Sequence, residues 1–140
     1  MGRVLCIGDI ALDVIVRLEG EGLSQVRYGS DTPSKVSTHG GGTAANVASW
    51  LHEVGTPALL LARIGDDSVG EALISQIHDL GIATHPVTVA GTATGTVVVL
   101  VDRSGERTML PDSGANAGLS ESDLPTLDGV SACYISGYSL

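Results

Sequence analysis

Phenylalanine is missing from this 140-residue chain, and one Trp and three Tyr are its only aromatic residues. The core must therefore be packed from Val, Leu, Ile and Ala, as expected for buried parallel strands and close-packed helices. Basic residues are scarce too. Seven Lys and Arg stand against sixteen Asp and Glu, and the formal charge of -9 argues against a nucleic-acid partner, whose phosphates are bound by Lys and Arg. A small neutral ligand fits better. The two cysteines, Cys6 and Cys133, lie far apart, each in an apolar run, and form no C-x-x-C motif. They read as buried free thiols in a reducing compartment. Long apolar runs are lacking as well: Val4 to Ile7 is broken at once by Gly8 and Asp9, which leaves no signal peptide and no membrane span. A cytoplasmic protein without a membrane partner is expected. No repeat, low-complexity tract or linker interrupts the chain, so residues 1–140 read as one domain.

Glycine, by contrast, is plentiful, with nineteen residues. Three of them are consecutive in His39-Gly40-Gly41-Gly42-Thr43-Ala44-Ala45-Asn46-Val47-Ala48. A backbone without Cβ lets a ligand lie directly against it. The first-turn N–H groups of the following helix lack intrahelical partners and suit an oxygen-rich ligand. Asn46 adds a polar amide in a row of Ala and Val, where a polar side chain needs a partner. The segment looks like a binding loop, although glycine triplets also serve as plain turns before close-packed helices.

Hydrophobic patterning gives the order of elements. Val4 to Ile7 and Ala58 to Ile64 are continuous apolar runs, the pattern of buried strands. Ala44, Val47, Ala48 and Leu51 share a helical face that Gly55 closes ahead of Pro57. Ser68-Val69-Gly70-Glu71 reads as a capping box for a second helix with the stripe Val69, Ala72, Leu73, Ile77 and Leu80. Strand, helix, strand, helix predicts right-handed crossovers and a parallel sheet. Val14 to Leu18 and Lys35 to Thr38 alternate instead, as strands of a peripheral sheet with one wet face. Val97 to Val101 and Glu106 to Leu110 flank Asp102-Arg103-Ser104-Gly105 as a hairpin. Pro111 to Gly118 reads as loop, Leu119 to Asp123 as the opening of a short helix, and Ala132 to Ile135 as a third buried strand. That last strand should leave an open sheet edge that aggregates or recruits a partner.

Several polar residues have plain structural readings. Asp9 is a turn-capping candidate, and Asp66 and Asp67 precede a helix whose dipole favours carboxylates. His52, His78 and His85 lack metal spacing and read as solvated, whereas His39 can reach a ligand from the loop. Arg103 at a hairpin turn reads as a surface charge. Asn116 fixes a loop or contacts a ligand. Gly40-x-Gly42-x-x-Ala45 with Asp66 formally fits a dinucleotide fingerprint, which would make an NAD-dependent oxidoreductase. That fingerprint needs a buried strand before its glycines, and Lys35 to His39 is polar at every other position. No P-loop sequence occurs.

Taken in order, Ile7-Gly8-Asp9-Ile10-Ala11-Leu12-Asp13, Gly41-Gly42-Thr43-Ala44-Ala45-Asn46-Val47-Ala48, Ile64-Gly65-Asp66-Asp67-x-x-Gly70, Thr94-Gly95-Thr96, Gly105-Glu106-Arg107 and Gly114-Ala115-Asn116 resemble the ribokinase-like (PfkB) carbohydrate kinases. The resemblance covers the whole chain. It implies an α/β fold, a mostly parallel sheet flanked by helices, with a small β-sheet lid roughly within 13–38 and 94–110. It also implies ATP- and Mg2+-dependent phosphorylation of a hydroxyl on a sugar, nucleoside or similar small molecule. By this resemblance Asp13 accepts hydrogen bonds from sugar hydroxyls, Gly41 and Gly42 bring backbone against the sugar ring, and Asn46 donates and accepts. A homodimer through the lid strands is a further implication. The chain departs from ribokinases proper at Ala11 and Thr43, where Asn and Lys are usual, so ribose is not implied. The family's catalytic Asp-Thr-x-Gly-Ala-Gly-Asp segment is not among these residues. The expectation is an N-terminal portion incomplete at the C-terminus, which supplies the sugar-binding half and no catalytic residue, with the ATP and Mg2+ site outside it. A non-catalytic sugar-binding module or an inactive truncated kinase is the alternative.

Overall fold

The apolar run near the start becomes an inner strand, β1 (Arg3–Ile7), and the run at 58–65 becomes its parallel neighbour β4 (Ala58–Gly65), in register Val4 with Ala58 through Ile7 with Leu61. The computed structural model describes residues 2–139. On the other side of β1 lies β8 (Val130–Ile135), and outside β4 lies β5 (Ala83–Val89), so the first sheet runs β5-β4-β1-β8 with every pair parallel. Two helices, α1 (Thr43–Glu53) and α2 (Ser68–Asp79), connect into and out of β4. They cover one face of this sheet, where Cys6, Ile10, Leu60, Ala62, Ile64, Leu73 and Ile77 form the main core. The alanines Ala44, Ala45 and Ala48 are all buried, so α1 packs through small side chains. Trp50, the single Trp, is exposed and takes no part.

Leu5, Leu59 and Leu61 fill the opposite face beneath Leu119 and Val130. An ion pair pins the covering segment there: Arg63 of β4 donates to both oxygens of Asp123 at 2.8 and 3.0 Å. The pair holds the Asp123 carboxyl below its ordinary range, chiefly through the Arg63 hydrogen bond.

The second sheet runs β3-β2-β6-β7, built from β2 (Ala11–Leu18), β3 (Ser34–Gly41), β6 (Thr96–Val101) and β7 (Arg107–Asp112). Its central pair β2 and β6 is parallel, and both outer pairs are antiparallel. The alternating segments read from the sequence thus form a sheet of their own, and the hairpin joins Val97 to Pro111 and Val101 to Arg107.

Several expectations are corrected. The strand β5 was not expected from the sequence: it carries Pro86 and no continuous apolar run, and a sheet edge tolerates both. The segment after Leu110 continues as strand to Asp112 and then forms a 3-10 turn at Gly114–Gly118 rather than open loop. The second helix is capped by Asp67, not Ser68, and its buried stripe is Gly70, Leu73, Ile74 and Ile77, leaving Ala72 and Leu80 exposed. The strand β8 is mostly exposed: Ile135 is 51% accessible and Cys133 lies at the surface, because this edge strand pairs only with β1 among the described residues. Only Cys6 is the expected buried thiol, and burial first, then Cys133, pushes it up to about 11. None of the described helices is long and apolar enough to cross a membrane.

Candidate functional site

The end of β1 opens at Gly8-Asp9-Ile10, and the chain turns there from the first sheet into β2 of the second. Between the two sheets lies a cleft of about 730 Å³ whose lining includes Asp9, Asp13, Gly42, Asn46, Met109 and Tyr138. Residues from β2, the start of α1 and the hairpin therefore converge on one space. Tyr138, 84% exposed, contributes an aromatic wall that the sequence reading did not single out.

Asp9 does not face the cleft as a free carboxylate. Its Oδ2 accepts from the Thr43 N–H at 2.8 Å, its Oδ1 from Ala44 at 3.4 Å, and its backbone carbonyl from Ala45 at 3.3 Å. The Asn46 N–H bonds the Gly42 carbonyl at 2.9 Å. Every N–H of the first turn of α1 is thereby consumed, which corrects the expectation that they wait for an oxygen-rich ligand. Asp9 is a helix cap supplied from 34 residues away in sequence.

Glycine at 42 is fixed by two requirements. Its φ is +99°, and a Cβ would sit 2.5 Å from the Asp9 carbonyl oxygen and 2.7 Å from Ile10 Cα. Gly41 is buried opposite Ala11, and a Cβ there would fall on the Asp13 carboxylate. The first glycine lets the chain turn into α1 beneath Asp9, and the second makes room for Asp13. Gly41 thus bears on the cleft through Asp13 rather than as part of its lining, and instead walls a smaller pocket of about 120 Å³ behind the loop with Leu73 and Gln76.

Asp13 is partly buried in the cleft, opposite His39 on β3 and Val97 on β6. Burial raises its carboxyl above the ordinary value, the His39 ring counteracts this, and Asp9 adds to the rise. Asn46 is exposed at the rim, so solvent satisfies an amide that would be costly inside the core. Asn116 is a loop clamp: its Nδ2 donates to the Ile10 carbonyl at 2.8 Å, and its Oδ1 accepts from the Ile10 N–H at 3.4 Å. It holds the turn between Asp9 and Asp13 from 106 residues away.

Thr94 belongs to the fold. Its hydroxyl and N–H both donate to Asp67, at 2.7 and 2.8 Å, and its hydroxyl accepts from Gly65. Asp66 is exposed beside this knot. His52 and His85 are exposed, and His78 bonds Thr84. No cluster of three metal-ligating side chains occurs among the described residues. The glycine loop leaves from β3, an edge of the second sheet, so it does not form the strand-glycine-helix unit of a dinucleotide fingerprint.

The model of the pfkB family carbohydrate kinases matches residues 1–140. The chain belongs to this family. Among curated relatives, Escherichia coli pseudouridine kinase is 30% identical over 104 residues, covering 74% of this chain and 32% of that protein. The bifunctional protein HldE of Magnetococcus marinus is 33% identical over 140 residues, covering 91% of this chain and 28% of that protein. The chain thus spans about a third or less of these two relatives' length. Among solved structures, ribokinase from Giardia lamblia superposes with a TM-score of 0.78 at 24% identity, covering 88% of this chain and 39% of its counterpart. Ribokinase from Cryptococcus neoformans in complex with ADP gives 0.79 at 24% identity, with 96% and 42% covered. At such identities these superpositions establish the ribokinase-like fold. The cleft between the two sheets is the candidate functional site.

Proposed function

We propose that this chain supplies the sugar-binding part of a kinase that transfers phosphoryl from ATP to a hydroxyl of a sugar or sugar-like small molecule. The observation that carries the reading is Asp13. It is a carboxylate held in a cleft, given room by Gly41, while the neighbouring Asp9 is spent on helix capping. Two carboxylate oxygens can accept from adjacent hydroxyls of one ring, a charge-assisted interaction about twice as strong as a neutral hydrogen bond. Gly42 offers backbone without a side chain on the cleft wall, and Asn46 offers an amide that donates and accepts at the rim. The second sheet acts as a lid that shields the acceptor hydroxyl from water.

ATP and Mg2+ belong to this reading through the family. The described residues do not fit either one: the N–H groups at the start of α1 are taken, and no acidic or histidine cluster forms. The same consumed N–H groups favour a second reading, sugar binding without catalysis by these residues; ADP formation from ATP in the presence of sugars separates the two. The compartment that fits is the cytoplasm, which holds ATP and keeps Cys6 and Cys133 reduced. Pairing of lid strands between two copies is the expected route to a homodimer.

The test is a thermal-shift panel of pentoses, hexoses and nucleosides on the wild type and Asp13→Ala. The cognate compound raises the unfolding midpoint of the wild type and leaves the variant unmoved, while the unliganded midpoints stay close. Equal stabilisation of both proteins removes Asp13 from the site.

A further inference from the structure

The side chains beside Asp13 form one cross-strand row. Pro111 of β7 pairs with Val97 of β6, Val97 with Asp13 of β2, and Asp13 with His39 of β3. Residues in register point to the same face of a sheet, so these side chains share a face. Pro111, Val97 and Asp13 line the cleft, and His39 borders it as the next member of the row, on the edge strand. No side chain stands between His39 and Asp13. On that face of β3, the neighbour of His39 on the α1 side is Gly41, which has no side chain to cover the space beside the carboxylate.

The His39 ring is held in place. Its Nε2 lies 3.2 Å from the hydroxyl of Ser37, two residues along the same face of β3. A hydroxyl that donates to Nε2 leaves the proton of the neutral ring on Nδ1, so the other nitrogen becomes a donor. Asp13 lacks such a donor. No N–H or O–H of the described residues donates to its carboxylate, and the cleft lining holds Asp9, Asp13 and Asp112 but no Lys, Arg or His. Directly opposed side chains of antiparallel strands have Cβ atoms about 4.5–5.5 Å apart. Burial raises the Asp13 carboxyl and the His39 ring offsets part of that rise, yet the two side chains close no ion pair among the described residues.

We propose that His39 is a specificity-determining contact of the sugar site: its Nδ1–H donates to the oxygen of a ligand hydroxyl whose own proton goes to Asp13, and Ser37 fixes the ring for that bond. The proposal rests on the reading of the Asp13 cleft as the sugar site. A hydroxyl is the group that matches, because it accepts from His39 and donates to Asp13 at once, whereas a carbonyl or carboxylate brings Asp13 no proton. Donors and acceptors in such a chain polarise one another. Replacing the hydroxyl by hydrogen strips both side chains of their partner, so the pair selects a hydroxyl at one ring carbon against the deoxy analogue.

The experiment is calorimetric titration of the full chain with D-ribose and uridine, and with the 2-deoxy and 3-deoxy analogues of each, on the wild type, His39→Ala, His39→Gln, Ser37→Ala and Asp13→Asn. The expected result is that the wild type binds a parent compound at least about tenfold more tightly than one of its deoxy analogues. His39→Ala loses most of that preference by weakening the parent alone, and its affinity for that deoxy analogue stays within about twofold of the wild type. His39→Gln, whose amide can donate, restores part of the preference, and Ser37→Ala weakens it less than His39→Ala does. Circular dichroism stays unchanged in the three β3 variants, whose side chains are exposed. Equal weakening of parent and deoxy analogue by His39→Ala overturns the proposal, since a merely structural neighbour acts on both alike. A preference that survives His39→Ala overturns it as well, and so does a wild type that binds parent and deoxy analogues equally while still depending on Asp13. Full preference in Ser37→Ala overturns the part given to Ser37. Absence of binding to both parent compounds, or binding indifferent to Asp13→Asn, overturns the underlying sugar-site reading instead.

Discussion

Asp67, between β4 and α2, and Asp13, within β2, are both aspartates, and the fold treats them in opposite ways. Asp67 caps α2 through the Gly70 N–H at 2.8 Å and takes two further hydrogen bonds from Thr94. These bonds, that of the Thr94 hydroxyl foremost, hold its carboxyl below the ordinary range. Asp13 sits in the cleft with its carboxyl raised by burial. A carboxylate surrounded by donors is a structural part. One that the fold partly desolvates without donating to it is a net cost, retained where a ligand supplies the donors. In an acidic chain the partners, not the residue type, distinguish the two.

The comparison breaks most visibly at Asp67. Asp67→Ala removes a helix cap and leaves the N–H of Thr94 without its acceptor, and is expected to lower stability by about 2 kcal/mol in urea unfolding. Its folded-state acidity is enhanced, so the wild type draws stability from Asp67 above the ordinary carboxylate range and loses it as pH falls through the lowered value. In the variant that acid-side loss is shallower.

Next in size, Gly41→Ala places a methyl group on the Asp13 carboxylate and forces it aside. Sugar affinity should drop about tenfold, roughly the worth of one hydrogen bond to a charged group, while stability changes by about 1 kcal/mol. Unchanged affinity in calorimetry would mean that the carboxylate position is immaterial.

The smallest effect is on the stability of Asp13→Asn. Because the folded-state value is raised, Asp13 binds protons more readily in the native protein than in the unfolded one. Its contribution favours the fold at low pH and declines as pH rises from the ordinary carboxylate range through the raised value. Asp13→Asn lacks this decline and should unfold slightly later than the wild type at neutral pH. A lower midpoint for the variant at pH 7 would show that Asp13 has structural donors after all.

Continuous apolar runs located β1, β4 and β8, alternation located β2 and β3, a glycine turn between two runs located the hairpin of β6 and β7, and the 3.6 period located both helices, because each pattern is written locally. The strand β5 escaped because Ala83–Val89 is an edge with Pro86 in it, and an edge strand needs neither a continuous apolar run nor every N–H. Of the candidate site, Asp13, Gly42 and Asn46 proved to share one cleft, and Gly41 proved to support Asp13 from beneath. Tyr138 was missed, since a tyrosine near a glycine carries no pattern that marks a cleft wall.

The sequence by itself determined the alternation of strand and helix, the mostly aliphatic core and the glycines that bring backbone close to Asp9 and Asp13. Such features follow from burial and dihedral preference, which act over a few residues. Tertiary structure alone decided that Asp9 caps α1, that Asn116 clamps Ile10, that Arg63 meets Asp123, and that His39 falls beside Asp13. Those partnerships join residues up to 106 positions apart, and the register of sheets, rather than any local preference, sets which of them meet.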